Sequence, residues 1–173
     1  MKVQKTERPL ILVTNDDGVH ASGMAALIDA VKEFGDIVAI APQVSQSGMS
    51  HALTIKTPLR LKTIHNKPGI TIYELTGTPV DCVKMAFDKI LPCKPHLLIS
   101  GINHGSNSSI SSIYSGTVAA AREGAINSIP SIAFSNTNYA DDADFDFLKP
   151  FIKHIVNDVL NHGLEKGSFL NVN

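Results

Sequence analysis

The chain has 173 residues, 43% apolar and 18% charged, with a formal net charge of −1, ordinary material for one cored domain spanning 1–173. With no basic run and no apolar stretch long enough to cross a bilayer, the composition argues against a membrane or a nucleic-acid polymer as a stable partner. The start, MKVQKTERPL, has no apolar core of the signal-peptide kind, and Cys82 and Cys93 form no CxxC, so both read as reduced thiols of a cytoplasmic protein.

Leu10 to Val13 reads as a buried strand. It runs into the turn Thr14-Asn15-Asp16-Asp17-Gly18. Met24, Leu27, Ile28, Val31 and Phe34 then recur at helical spacing, with Ser22 expected as N-cap and Gly35 as stop. Ile37 to Ala41 predicts a second buried strand, followed by Pro42 and a polar loop. Leu59 and Leu61, then Ile70 and Ile72, alternate as a half-exposed strand pair should. Thr78-Pro79 suggests an N-cap with proline at the first helical position, before the stripe Val80, Val83, Phe87 and Ile90. Leu97 to Ile99 is a buried strand, with a loop expected over Ser100 to Tyr114. A helix over Thr117 to Ile126, a strand over Ser131 to Phe134, a helix carrying Leu148, Phe151, Ile152, Ile155 and Val156, and a strand over Phe169 to Val172 complete the chain.

Strands alternating with helices predict a three-layer, Rossmann-like α/β fold, its mostly parallel sheet covered on both faces. Ligands of such sheets bind beyond the carboxyl ends of the strands. Polar residues follow each strand here: Asp16 and Asp17; Ser45, Ser47 and His51; Ser100, Asn103, His104 and Asn107; Ser135, Asn136 and Asn138. They should converge on one edge of the sheet.

Adjacent carboxylates repel, and a cation relieves them. Magnesium and manganese favour oxygen donors such as these. On its own, Asn15-Asp16-Asp17-Gly18 reads equally well as a simple turn. Ser100 to Asn107 reads as a phosphate or metal cradle, or as a plain surface loop. Ser115-Gly116-Thr117 opens a helix, where free N–H groups bind anions, or where the serine simply caps. His65, His154 and His162 read as surface residues, whereas His20, His51 and His104 lie in loops that follow strands. No P-loop, GxGxxG, HExxH or GxSxG is present, which disfavours the corresponding nucleotide-binding, zinc-hydrolase and serine-esterase readings.

In order, ILVTNDDG, AP with QSGMSH, LTGTPVDCVK, SGINHGSN and YSGTVAAAREG resemble the SurE survival-protein family of metal-dependent nucleotidases, over about Leu10 to Phe134. The resemblance implies the SurE-like fold and one divalent cation per subunit, Mg2+ or Mn2+, held by Asp16, Asp17, Ser47 and Asn103. It implies hydrolysis of nucleoside 5′-monophosphates, with 3′-monophosphates and polyphosphate as further substrates to test. Asp16 and Asp17 would serve catalysis, with either water or a carboxylate as the attacking group. Asn15, Asn107, Ser115, Gly116 and Thr117 are candidate substrate and phosphate contacts. A non-catalytic nucleotide-binding module, or a metal hydrolase of non-phosphate bonds, are the competing readings. Two departures stand out. His104 occupies a position that is often arginine in the family. The chain also ends at Asn173, short of the C-terminal extension through which full-length members are expected to form homodimers or homotetramers.

Overall fold

The computed structural model describes residues 7–140 and 143–173. Most of the stretch read above for a signal peptide, Met1 to Thr6, lies outside them. The strands are β1 (Leu10–Thr14), β2 (Asp36–Pro42), β3 (Leu61–Lys67), β4 (Ile70–Leu75), β5 (Leu97–His104), β6 (Ser131–Asn136) and β7 (Leu170–Val172). They form one sheet in the order β3-β4-β2-β1-β5-β6-β7. Every pairing is parallel except β3 with β4.

The helices are α1 (Ser22–Val31), α2 (Pro79–Met85), α3 (Ser111–Tyr114), α4 (Gly116–Ile126) and α5 (Lys149–His162). Side chains alternate across a strand, and β1 sorts accordingly. Ile11 and Val13 pack with Met24, Leu27, Ile152 and Val156 of α1 and α5. Leu10 and Leu12 pack on the other face with Cys82 and Val83 of α2 and Ala120 of α4. The core is therefore two apolar layers on either side of the sheet, the three-layer α/β arrangement expected. Its continuous LILV and IVAIA runs follow from burial on both faces. Among the described strands only β3, the antiparallel edge, is mostly exposed.

Several boundaries differ from the sequence reading: α1 ends at Val31, short of Phe34 and the expected stop at Gly35, and the short helix α3 lies inside the expected loop. Ser22 is the first residue of α1, Ala21 takes the cap position, and no side chain caps that end. The chain instead enters the helix through Gly18, whose carbonyl accepts from the N–H of Ala21. β5 continues five residues past Ile99, through the stretch expected to be loop. Its pairing with β6 slips between Ser100 and Asn103, at Gly101 and Ile102. α2 runs on into a π-helical turn, Ala86–Ile90, so the stripe that reads as one helix is two helical forms in series. The expected cap at α2 is present: Thr78 and Asp81 form a reciprocal capping box with proline at the first turn.

β1 sits between β2 and β5, where the chain turns from building one half of the sheet to building the other. Ligand sites of open α/β sheets lie at this switch point.

Candidate metal and phosphate site

Asp16 and Asp17 leave the end of β1 at the switch point. Asn15 is fully buried and closes the turn: its amide donates to the Gly18 carbonyl at 2.9 Å and accepts from the Gly18 N–H at 3.2 Å. Gly18 has φ +107°, which suits glycine. The side chain of Asn15 therefore aims the pair from beneath.

Asp16 is 3% exposed. The hydroxyl of Thr117 donates to its Oδ1. Burial pushes its carboxyl up to about 6, against the pull of Thr117, and the neighbouring charge of Asp17 adds to the rise. Asp17 is less buried. Burial raises it too, opposed by the N–H of His104, which donates to Oδ2 at 3.2 Å. Two adjacent carboxylates raised by desolvation, Asp16 also by the charge of Asp17, are short of positive charge.

The first turn of α4 comes from the other side. Ser115 is its N-cap and accepts from the Val118 N–H at 3.1 Å, so its hydroxyl is engaged in capping. Gly116 lies flat against Asp16: a Cβ there would stand 2.9 Å from Asp16 Cβ and 3.0 Å from Oδ2. Only glycine brings the positive end of the helix this close to the carboxylate.

Ser47 lies on the exposed loop after β2, 2.9 Å from Ser45 Oγ. That loop is pinned at several points. The N–H of Gln46, just before Ser47, donates to the Asp16 carbonyl at 2.7 Å. Ser50 bonds the carbonyls of Tyr114 and Ile113. Thr78 donates to the Ala52 carbonyl at 2.7 Å, and the Asp81 carboxylate accepts from the Thr54 N–H. His51 bonds Glu123 at 2.9 Å. Glu123 is 6% exposed on α4 and is also met by Lys84 at 3.3 Å. Burial would raise its carboxyl, but His51, Lys84 and Asn127 outweigh burial and hold it below the usual range. Glu123 is a residue that sequence reasoning missed. Its signal is a lone acid inside the small apolar run VAAAREGA.

Asn103, on the irregular part of β5, precedes the His104 N–H that meets Asp17. Its amide nitrogen donates to the Gly105 carbonyl at 2.7 Å and to Asn107 Oδ1 at 3.3 Å. Its own carbonyl oxygen is left without a partner among the described residues. Asn107 is 3% exposed, and its Nδ2 has no partner. Asn171 and Asn173 reach this loop from β7; sequence reading gave them no role in the site.

The loop histidines differ. His104 turns its exposed ring edge-on to Phe145, with centroids 6.0 Å apart. His20 approaches Glu74 at 3.9 Å, and His51 serves the loop anchor. Among the described residues no group of three or more His, Cys, Asp or Glu could hold a metal. A cation here would need hydroxyl and amide oxygens beside the two carboxylates. The oxygens fit a hard divalent ion of the magnesium or manganese kind: two carboxylates short of positive charge, and an asparagine oxygen free to ligate.

The family model for "Survival protein SurE" matches residues 11–173. A protein of Cytophaga hutchinsonii named 5′-nucleotidase SurE is 52% identical over 167 residues, covering 96% of this chain and 64% of that protein. One of the same name from Chlorobium phaeobacteroides is 47% identical over 171 residues, covering 99% of this chain and 66% of the relative. The crystal structure of a SurE protein from Aquifex aeolicus superposes with a TM-score of 0.83 at 38% identity, over 94% of this chain and 64% of that one. The chain thus spans just under two thirds of the length of the curated relatives it matches.

Proposed function

Since the chain belongs to the SurE survival-protein family, we propose that it is a metal-dependent phosphomonoesterase that hydrolyses nucleoside 5′-monophosphates to nucleoside and phosphate. The observation that carries this reading is the buried Asp16, raised by burial and by Asp17 and flanked by the N-terminus of α4. Curated relatives named 5′-nucleotidase SurE supply the substrate class. As read from the resemblance, the enzyme works in the cytoplasm, as a homodimer or homotetramer. Among the described residues no helix is long and apolar enough to cross a membrane.

Asp16, Asp17, Ser47 and Asn103 would hold one Mg2+ or Mn2+. When bound, the ion supplies polarisation of the phosphoryl group and neutralises charge as the ester bond breaks. Thr117 fixes the orientation of Asp16 through its hydroxyl. The His104 N–H does the same for Asp17. Asn103 commits its amide nitrogen to the loop and so turns its oxygen outward. The Nδ2 of Asn107 is a buried donor without a partner that would meet a phosphate oxygen only once the loop shifts to expose it, and the N–H groups at the start of α4, around Gly116 and Thr117, favour negative charge. In the overall reaction water adds across the P–O ester bond. Its oxygen goes to phosphorus and a proton to the departing 5′ oxygen. Asp16 is buried and already bonded to Thr117, which supports water over this carboxylate as the attacking group.

The test is phosphate release from a panel of nucleoside 5′- and 3′-monophosphates and polyphosphate, with Mg2+, Mn2+ or EDTA. Turnover of 5′-monophosphates that needs the ion is expected, with 3′-esters and polyphosphate as slower substrates. A hydroxylamine-sensitive phosphoenzyme, trapped by rapid quench, would overturn the water mechanism. Nucleotide binding without turnover under any ion would overturn the enzyme reading in favour of a binding module.

A further inference from the structure

β7 is an edge strand of three residues, and its end reaches the carboxyl edge of the sheet beside β6. In a strand, alternate residues point the same way, and Asn171 and Asn173 are two apart. Both meet one target. Asn171 Nδ2 donates to the Asn107 carbonyl at 2.9 Å. Asn173 Oδ1 accepts from the Asn107 N–H at 2.7 Å. The same oxygen accepts from the Ser135 hydroxyl at 2.8 Å and, more weakly, from Ser106 Oγ at 3.4 Å. Ser135 is itself buried, and on β6 it is the register partner of Asn103. Asn171 of β7 and Asn173, just past its end, therefore grip both backbone polar groups of Asn107.

Asn107 passes that constraint on. Its Oδ1 accepts from Asn103 Nδ2 at 3.3 Å. With that bond made, beside the shorter one from the same nitrogen to the Gly105 carbonyl at 2.7 Å, Asn103 has its nitrogen turned into the loop and its oxygen turned out. The side-chain nitrogen of Asn107 is buried and unpartnered, so the grip on its backbone also sets where that donor lies. Among the described residues no hydrogen bond joins the side chain of Asn103 to Asn171 or Asn173. Residue 107 is the link from Asn173 to Asn103, which the Gly105 carbonyl holds as well.

We propose that Asn173 is a positioning residue of the site: through Asn107 it holds the oxygen of Asn103 in ligating orientation. This rests on the reading of Asn103 as a metal ligand. All contacts of the Asn173 side chain are accepted at Oδ1, so an aspartate, which only accepts, meets the same demand. An alanine meets none of it and leaves the Asn107 N–H without its acceptor. Partners that orient metal ligands are worth roughly 10–100-fold in metal affinity.

The experiment is Mn2+ binding without substrate, followed by electron paramagnetic resonance, in the full chain and in Asn173→Ala, Asn173→Asp and Asn171→Ala. Thermal melting of each metal-free protein accompanies it. The expected result is weakening by about 10-fold or more in Asn173→Ala, with its metal-free melting temperature close to that of the parent. Asn173→Asp should restore most of the affinity, and Asn171→Ala, which loosens the other side of Asn107, should weaken it less. Parent-like Mn2+ affinity in Asn173→Ala would overturn the proposal while leaving the metal site standing. Absence of Mn2+ binding in the parent chain would overturn the metal site and the proposal with it. Should Asn173→Ala fold poorly, Asn171→Ala decides: unchanged affinity there overturns the grip on Asn107.

Discussion

At Asp16 a carboxylate is buried at a cost that the metal-free protein does not recover. Burial and the charge of Asp17 both oppose ionisation, and the Thr117 hydroxyl offsets them only in part. Desolvation of an unpaired charge is expensive, so this residue is there at the expense of stability. Asp16→Asn keeps the shape and an acceptor oxygen for Thr117 while removing the charge. Metal-free Asp16→Asn should therefore melt at or above the temperature of the parent near neutral pH. In saturating Mn2+ the order should reverse, because only the parent gains binding energy from the ion. Differential scanning calorimetry with EDTA and with Mn2+ measures both. A variant that melts well below the metal-free parent would show that Asp16 is a structural residue.

Among the elements, α1 and α5 cross on the face remote from α4. Their solvent ends are tied by charge: Lys149 of α5 meets Asp29 of α1 at 2.6 Å, and Lys32 meets the same carboxylate. These lysines hold the Asp29 carboxyl down at about 2, below its usual 3.8. The sign follows from the depressed value. The carboxylate contributes stability that is present above about pH 4 and is lost as pH falls through about 2. The pair is exposed, so solvent and salt screen it and its share is small. Asp29→Asn should lower the melting temperature slightly at pH 7 in low salt. The difference should fade in about 1 M salt and shrink as pH drops from 4 towards 2. Melting curves over that grid check it, and a difference that persists unchanged at high salt would assign Asp29 a role other than charge.

Some elements are legible in the sequence and others are not. β1 and β2 announce themselves because burial on both faces demands unbroken apolar runs. α2 is marked by Thr78, Pro79 and Asp81, whose capping chemistry is local. α1 misleads because Ser22 has the chemistry of a cap, while the turn closed by Asn15 and Gly18 sets where the helix begins. β5 misleads further: Ser100-Gly101-Ile102-Asn103 is rich in turn residues, yet its pairing partners are Ala133 and Ser135 of β6. Strand pairing across about thirty residues overrides local preference there, and no short window of sequence contains it.

Over the whole molecule, the order β3-β4-β2-β1-β5-β6-β7 sets β1 between the two halves of the sheet and brings the loops after β2 and β5 to either side of Asp16 and Asp17. Reading the residues that follow each strand was enough to choose the edge of the sheet. It was enough for the turn at Asp16, because strand and turn are contiguous. It was not enough for the supports. The Asp16–Thr117 bond joins residues 101 apart in the chain, and the Asn107–Asn173 bond joins residues 66 apart. Glu123 fastens the Ser47 loop through His51 from 72 positions away. Such partners are set by topology, and their side chains carry no mark of it in sequence.

On the proposed function, Asp16 and Asp17 anchor a divalent ion without which the chain does not hydrolyse phosphomonoesters. The most direct test is phosphate release from a nucleoside 5′-monophosphate by the parent and by Asp17→Asn, each stripped with EDTA and then restored with Mn2+. Stripping should abolish turnover by the parent, and Mn2+ should restore it. Asp17→Asn should stay down by about 100-fold or more even in excess Mn2+, the scale of losing a group that manages charge in the transition state, while melting as a folded protein. Turnover that survives stripping, or an Asp17→Asn variant as active as the parent in Mn2+, would contradict the account.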